Sequence, residues 1–128
     1  MKLPRLTFLL TVLAYVPGFV RAGGPVAIMS RYGVPPAGTG DALTRAALEV
    51  AAAEGIAARE VLLPAGAATD HFPAAWRRIP AITLASLGRG LRRVHSPADT
   101  ADRVAWDGVE AAGRLALALI LRLDATER

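Results

Sequence analysis

Short apolar runs alternate with helical patterns along this chain of 128 residues, and this alternation constrains the fold more than any other feature. The apolar runs at 26–30, 60–63 and 81–85 have the length and composition of buried strands. Helical spacing of apolar residues begins after the first run, at Asp41, and returns at Asp107. Strands that alternate with helices predict an α/β domain built in layers.

Composition narrows the classes of function. Hydrophobic residues make up 53% of the chain, so it has ample apolar surface for a core and is not a disordered tail. The absence of cysteine excludes disulfides, thiolate zinc sites and cysteine nucleophiles. The net charge is +4, but no aromatic residues are interleaved with the arginines and no nucleic-acid-binding motif is present. We therefore expect no nucleic-acid partner.

The hydrophobic N-terminal segment, residues 1–24, permits two interpretations. Its order is that of a secretory signal peptide: a basic start at Lys2 and Arg5, then an apolar run over 6–20, then Val20-Arg21-Ala22. A signal over 1–22 would make the protein secreted or periplasmic. Alternatively, residues 7–15 form a buried strand that is apolar on both faces, as strands in parallel sheets are. Both interpretations stay open from the sequence.

We expect the α/β domain to span residues 25–124, followed by a tail at 125–128. A loop rich in proline and glycine, Gly33–Gly40, precedes a helix that begins at Asp41 and ends at Gly55. A short helix is predicted over Asp70–Arg77.

The last helix begins in the prediction with a D-x-x-E capping pair, Asp107 and Glu110, and ends near Asp124. Helical spacing assigns its buried stripe to Val109, Ala112, Gly113, Ala116, Leu117, Ile120 and Leu121.

Two loop segments combine polar chemistry with a position beside one predicted strand. The sequence D-H-F-P at 70–73 and then I-P-A at 79–81 lead into this strand, and H-S-P-A-D-T at 95–100 follows it. We therefore expect Asp70, His71 and His95 to approach one another at the carboxyl edge of the sheet, where open α/β sheets bind ligands.

The order of these three motifs, followed by a long amphipathic helix, resembles the C-terminal part of the di-zinc aminopeptidases of metallopeptidase family twenty-eight, which also includes glutaminyl cyclase-like proteins. The resemblance covers about residues 25–123 and is most specific over 69–100. It implies a three-layer αβα fold around a mixed sheet, two bridged zinc ions as cofactors, and hydrolysis of the N-terminal bond of a peptide substrate.

The resemblance assigns roles to four residues. His95 matches the last zinc ligand, and Asp70 matches a carboxylate that orients the site from behind the ligands. His71 matches a residue that lines the substrate pocket, and Asp99 would brace the loop that carries His95. Apart from the resemblance, His95 and Asp99 are ordinary loop residues, and Asp70 is a good N-cap for the short helix.

Several positions depart from the family pattern. Arg78 stands where the family has a glycine before Ile-Pro, and the chain contains neither the H-x-D motif nor the Glu-Glu pair that carries the catalytic glutamate. The residues 12–18 hold no carboxylate where another ligand is expected. We therefore expect a truncated or remnant member of the family that is inactive by itself.

A second class of function stays open beside the first. The chain would then be a non-catalytic secreted or envelope-associated α/β interaction module. An exposed edge of its sheet would pair with a partner or with a second copy of the chain, because an unpaired strand edge is a template for another strand.

Overall fold

A computed structural model describes residues 9–13, 25–32, 37–62, 69–86 and 96–126. Its helices and strands, in chain order, are β1 (Leu9–Leu13), β2 (Val26–Met29), α1 (Asp41–Ala53), β3 (Ala58–Glu60), α2 (Phe72–Trp76), β4 (Ala81–Ser86) and α3 (Trp106–Thr126). A 3₁₀ turn over Ala101–Arg103 precedes α3. Within the described part of the chain, no helix is both long and apolar enough to cross a membrane.

The four strands form one mixed sheet in the order β1-β4-β2-β3. β4 runs parallel to β1 and antiparallel to β2, and β2 runs parallel to β3. Leu9 is opposite Ala81 and Leu13 is opposite Ala85. Residues 9–13 thus form a strand of this sheet.

The main core lies between the sheet and the pair α1 and α3. Successive side chains of a strand point to opposite faces, and Ile28 of β2 with Ile82 and Leu84 of β4 point to this face. They meet Leu115 and Leu119 of α3, and all five of these residues are fully buried. Burial of one such side chain contributes about 1.5–3 kcal/mol.

The opposite face of the sheet is buried as well. Met29 and Ala85 form a smaller cluster there with Tyr32 and Val61. Thr83, which alternates with Ile82 and Leu84 along β4, points to this face and contacts the segment that leads into α2. With α1 and α3 on one side and α2 on the other, the sheet is the middle layer of an αβα arrangement, as the fold class predicted.

α1 begins at Asp41, as predicted, because a glycine allows the chain to pass close to the sheet just before it. A Cβ on Gly40 would lie 2.5 Å from the carbonyl oxygen of Ala81, a distance that no side chain tolerates. The carbonyl of Gly40 accepts the first helical hydrogen bond, from the amide of Thr44 at 2.7 Å. The predicted end at Gly55 is also confirmed, since this residue adopts φ of +64° directly after the helix.

Three predicted boundaries are wrong. β3 covers Ala58–Glu60, earlier than the apolar run at 60–63, because it pairs with β2 at Val26–Ile28. α2 begins at Phe72, so the cap position is His71 and not Asp70. α3 begins at Trp106, which places Asp107 inside the first turn and not at the cap.

The predicted buried stripe of α3 is also rotated. The helix buries Gly108, Ala112, Leu115, Ala116 and Leu119. It exposes Leu117, Ile120 and Leu121. The periodicity failed because apolar residues occupy both faces of this helix, and the sheet selects the face with Leu115 and Leu119.

Candidate functional site

The D-H-F-P segment is held against the middle of the sheet by its histidine. His71 is completely buried, and its Nδ1 lies 2.9 Å from the hydroxyl oxygen of Thr83 in β4. The same nitrogen contacts the hydroxyl of Thr69, to which Thr83 also donates a hydrogen bond at 3.2 Å. Because Thr83 is the third of six residues in β4, His71 lies over the centre of the strand and not at its carboxyl end.

Burial sets the charge of this histidine. Desolvation lowers the pKa of His71 below its ordinary value of 6.5, so the ring is neutral at pH 7. Its Nε2 is buried and has no hydrogen-bond partner among the described residues. Protonation would add a charge that the surroundings do not compensate, and a buried charge without a partner is strongly unfavourable.

Aromatic rings extend from His71 towards the surface. The ring of Tyr32 lies 5.9 Å from that of His71 and 4.3 Å from that of Phe72. Phe72 in turn lies 4.6 Å from Trp76, whose side chain is 73% exposed. Tilted aromatic pairs at these distances are favourable beyond their burial, so the four rings form a continuous wall beside the D-H-F-P segment.

α2 ends in a turn that usually requires glycine. The amide of Ile79 donates to the carbonyl of Ala74 at 3.0 Å, and the amide of Arg78 donates to the carbonyl of Ala75 at 2.9 Å. This pair of hydrogen bonds defines a Schellman motif, in which the residue after the cap is left-handed. Arg78 occupies that position with φ of 60°. The turn therefore forms with an arginine in its left-handed position, under strain.

The I-P-A segment begins β4 and is fixed from a second side. The hydroxyl of Thr39, in the loop before α1, donates to the carbonyl of Ile79 at 2.9 Å. The neighbouring ends of β2 and β3 carry Ser30, which is buried and donates to Glu60 at 3.3 Å. An exposed ion pair lies nearby, in which the Asp41 carboxylate raises the pKa of Arg31.

Of the remaining predicted site residues, the structure describes Asp70 and Asp99. Asp70 is exposed in the turn before α2. Asp99 is half-buried and closes a turn, with its amide donating to the carbonyl of Ser96 at 3.0 Å. His95 lies outside the described residues, so its position relative to His71 stays a prediction.

A metal ion requires a set of ligands that converge. In the described ranges, no three histidine, aspartate or glutamate side chains lie close enough together to hold one. The Nδ1 of His71 is already engaged by two hydroxyls, and Asp70 faces solvent. These described residues do not fit a zinc ion by themselves, and no catalytic step through zinc is derived from them.

Fold and motif order together define an α/β domain of the zinc-exopeptidase type. The family model described as Peptidase family M28 matches residues 27–120, which is most of the chain, and the chain belongs to this family. The family is generally zinc-dependent, and membership in it supports a peptidase-like hydrolase function for this chain. No curated protein and no solved structure matches the chain significantly.

Two residues that hold the D-H-F-P segment are not indicated by the sequence motifs. Thr83 and Tyr32 lie against His71 in the structure, beside Thr69. Thr83 carried a detectable signal, because it is a polar residue in the interior of an otherwise apolar strand, and buried hydroxyls require partners. Tyr32 carried none, since its approach depends on the tertiary fold.

Proposed function

We propose that this chain forms the C-terminal wall of an aminopeptidase site, in which peptide substrates lose their N-terminal residue. The observation that carries the proposal is the anchoring of His71 to Thr83, which fixes the D-H-F-P segment of the peptidase family to the central strand. A turn at Ser96–Asp99 directly follows His95 in the sequence. In this arrangement His95 supplies one zinc ligand.

The described residues contribute shape and support to such a site. Tyr32, Phe72 and Trp76 supply an apolar wall that suits the side chain of an N-terminal residue. His71 is neutral and points its engaged nitrogen into the protein, so it positions the wall and does not exchange protons with a substrate. A peptide hydrolase also requires a base near the attacking water, and the chain lacks the Glu-Glu pair that carries it in the family.

The chain by itself should therefore turn over no substrate. The test is hydrolysis of leucine p-nitroanilide by the purified 128-residue chain with added zinc, together with the His95→Ala variant. We expect equal background rates for the two proteins. In calorimetry, titration with zinc should give the same heat for the chain and for His95→Ala. Zinc-dependent turnover that disappears in His95→Ala would show that these residues assemble a complete site.

A further inference from the structure

The segment 69–78, which contains α2, is anchored to the sheet mainly by one side chain. His71 is the only large side chain of this segment that is fully buried, and the two other buried residues are alanines. Phe72 is half-buried, and Trp76 is 73% exposed. Because an alanine side chain removes little apolar surface from water, the attachment of this segment to β4 depends on the ring of His71.

The charged form of His71 does not suit this buried position. A neutral imidazole carries a proton on one nitrogen, whereas the charged ring carries a proton on both. Nδ1 has the hydroxyls of Thr69 and Thr83 as partners, but Nε2 is buried and has no partner among the described residues. Protonation in this position therefore leaves a buried N–H without an acceptor, on a ring that carries a full charge.

The other elements that pack against the ring present no charge to it in the described part of the chain. β4 faces His71 with the neutral hydroxyl of Thr83, and the segment after β2 faces it with the ring of Tyr32. Arg31, which precedes Tyr32, forms an ion pair with Asp41. These elements therefore offer no carboxylate that would stabilise a charged ring.

The charged residues of the segment itself are exposed. Asp70 precedes His71 but faces solvent, and Arg77 and Arg78 lie at the opposite end of α2. Burial is the cause that lowers the pKa of His71, with no contribution from a charged group. A proton on this ring is therefore stabilised only when the ring reaches water.

We infer that residues 69–78 form a flap that acid releases from the sheet: protonation of His71 undocks the flap while the rest of the domain stays folded. The end of the flap stays attached, because the hydroxyl of Thr39 holds the carbonyl of Ile79 directly after it. The main core lies on the opposite face of the sheet and includes no residue of the flap. Release of the flap therefore leaves α1 and α3 packed on the sheet.

Uptake of one proton determines the pH dependence of the release. In the released flap the ring is in water and regains its ordinary pKa of 6.5, whereas the pKa in the docked flap is lower. The released state therefore binds more protons in acid, and below pH 6.5 the ratio of released to docked flap should rise by about tenfold for each pH unit. Release also moves Phe72 and Trp76 away from Tyr32 and so dismantles the apolar wall, a consequence that rests on the proposed function.

The test is hydrogen exchange of the 128-residue chain from about pH 7.5 to about pH 4.5, corrected for the intrinsic pH dependence of exchange. We expect exchange of the hydrogen-bonded amides of Phe72, Ala75 and Arg78 to rise by about tenfold per pH unit below 6.5. The amides of α1 and α3 should stay protected. Unchanged exchange in the flap, or loss of protection in α1 and α3 at the same pH, would overturn the inference.

Three variants test whether His71 is the group that takes up the proton. His71→Gln should remove the pH dependence of exchange in the flap, whereas His95→Gln, the matched control at the other histidine of the chain, should keep it. Thr83→Val keeps the ring but removes a hydroxyl that contacts it, so it should raise exchange in the flap about fivefold at every pH without changing the slope. An unchanged slope in His71→Gln, or a lost slope in either of the other variants, would refute the role of His71. Because no substrate enters these measurements, the flap and the proposed peptidase site can fail independently.

Discussion

The arginine in the left-handed turn after α2 gives the sharpest prediction, because the chain contains its own reference. α1 ends in the same motif: the amide of Ile56 donates to the carbonyl of Ala51 at 2.8 Å, and Gly55 takes the left-handed position with φ of +64°. In α2 the equivalent position is Arg78, with φ of 60°. The two turns therefore differ mainly in whether the left-handed residue carries a Cβ.

Replacement of Arg78 by glycine should stabilise the protein. A left-handed backbone costs a residue with a Cβ about 1–2 kcal/mol. Glycine relieves this strain but increases the entropy of the unfolded chain, which offsets about 0.4–1 kcal/mol. The net gain is about 0.5–1 kcal/mol, and for a domain of this size it corresponds to a rise of about 2–5 °C in Tm.

The assay is thermal unfolding of Arg78→Gly beside two controls. Arg77→Gly removes the same charge one residue earlier, where φ is −88°, so it adds flexibility without relieving strain and should lower Tm. Gly55→Ala introduces a Cβ into the corresponding turn of α1. It should lower Tm by about as much as Arg78→Gly raises it. If Arg78→Gly lowers Tm as Arg77→Gly does, the strain argument is refuted.

Two further predictions concern the buried polar groups. The pKa of His71 is lower in the folded chain than in the unfolded one, so the unfolded state binds more protons below pH 6.5. Stability should therefore fall as the pH drops below this value, by up to about 1.4 kcal/mol per pH unit. His71→Gln should lose this dependence and His95→Gln should keep it; the same slope in His71→Gln would contradict the assignment. Thr44 has a buried hydroxyl without a hydrogen-bond partner among the described residues, whereas the hydroxyl of Thr83 contacts His71. Thr44→Val should raise the free energy of unfolding by about 1 kcal/mol and Thr83→Val should lower it by about the same amount. Thermal melts would show this as Tm shifts of opposite sign; shifts of the same sign would contradict the prediction.

The layered architecture was predictable from the sequence because the relevant signals are local. Gly55 ends α1 through its own backbone freedom, and the apolar run at 81–85 forms the central strand because it is apolar on both faces. The packing of α3 was not predictable in the same way. Apolar residues surround most of this helix, and its packing on the sheet and α1 decides which leucines are buried.

The candidate site, too, was predictable in its local motifs but not in the contacts that the tertiary fold makes. The motif order identified the family, but the surroundings of His71 depend on residues distant in sequence, such as Tyr32 and Thr83. Asp70 was expected to be the N-cap of α2, yet the amide of Phe72 donates to the carbonyl of Thr69 at 2.9 Å and the cap is His71, one residue later. A single backbone contact thus changed the role of the predicted cap.

The backbone of the segment from 69 to 81 is held by contacts that packing alone explains. His71 is tied to Thr83, the Schellman motif delivers Ile79 to β4, and Thr39 holds the carbonyl of Ile79. Each contact stabilises the fold whether or not a substrate is bound, and Arg78 adopts the left-handed turn at an energetic cost. The D-H-F-P and I-P-A motifs are therefore evidence for ancestry and shape. The proposed peptidase activity also needs metal ligands and a base beyond these residues, so the zinc-dependent assay with His95→Ala tests it more directly than substitutions in segment 69–81 do.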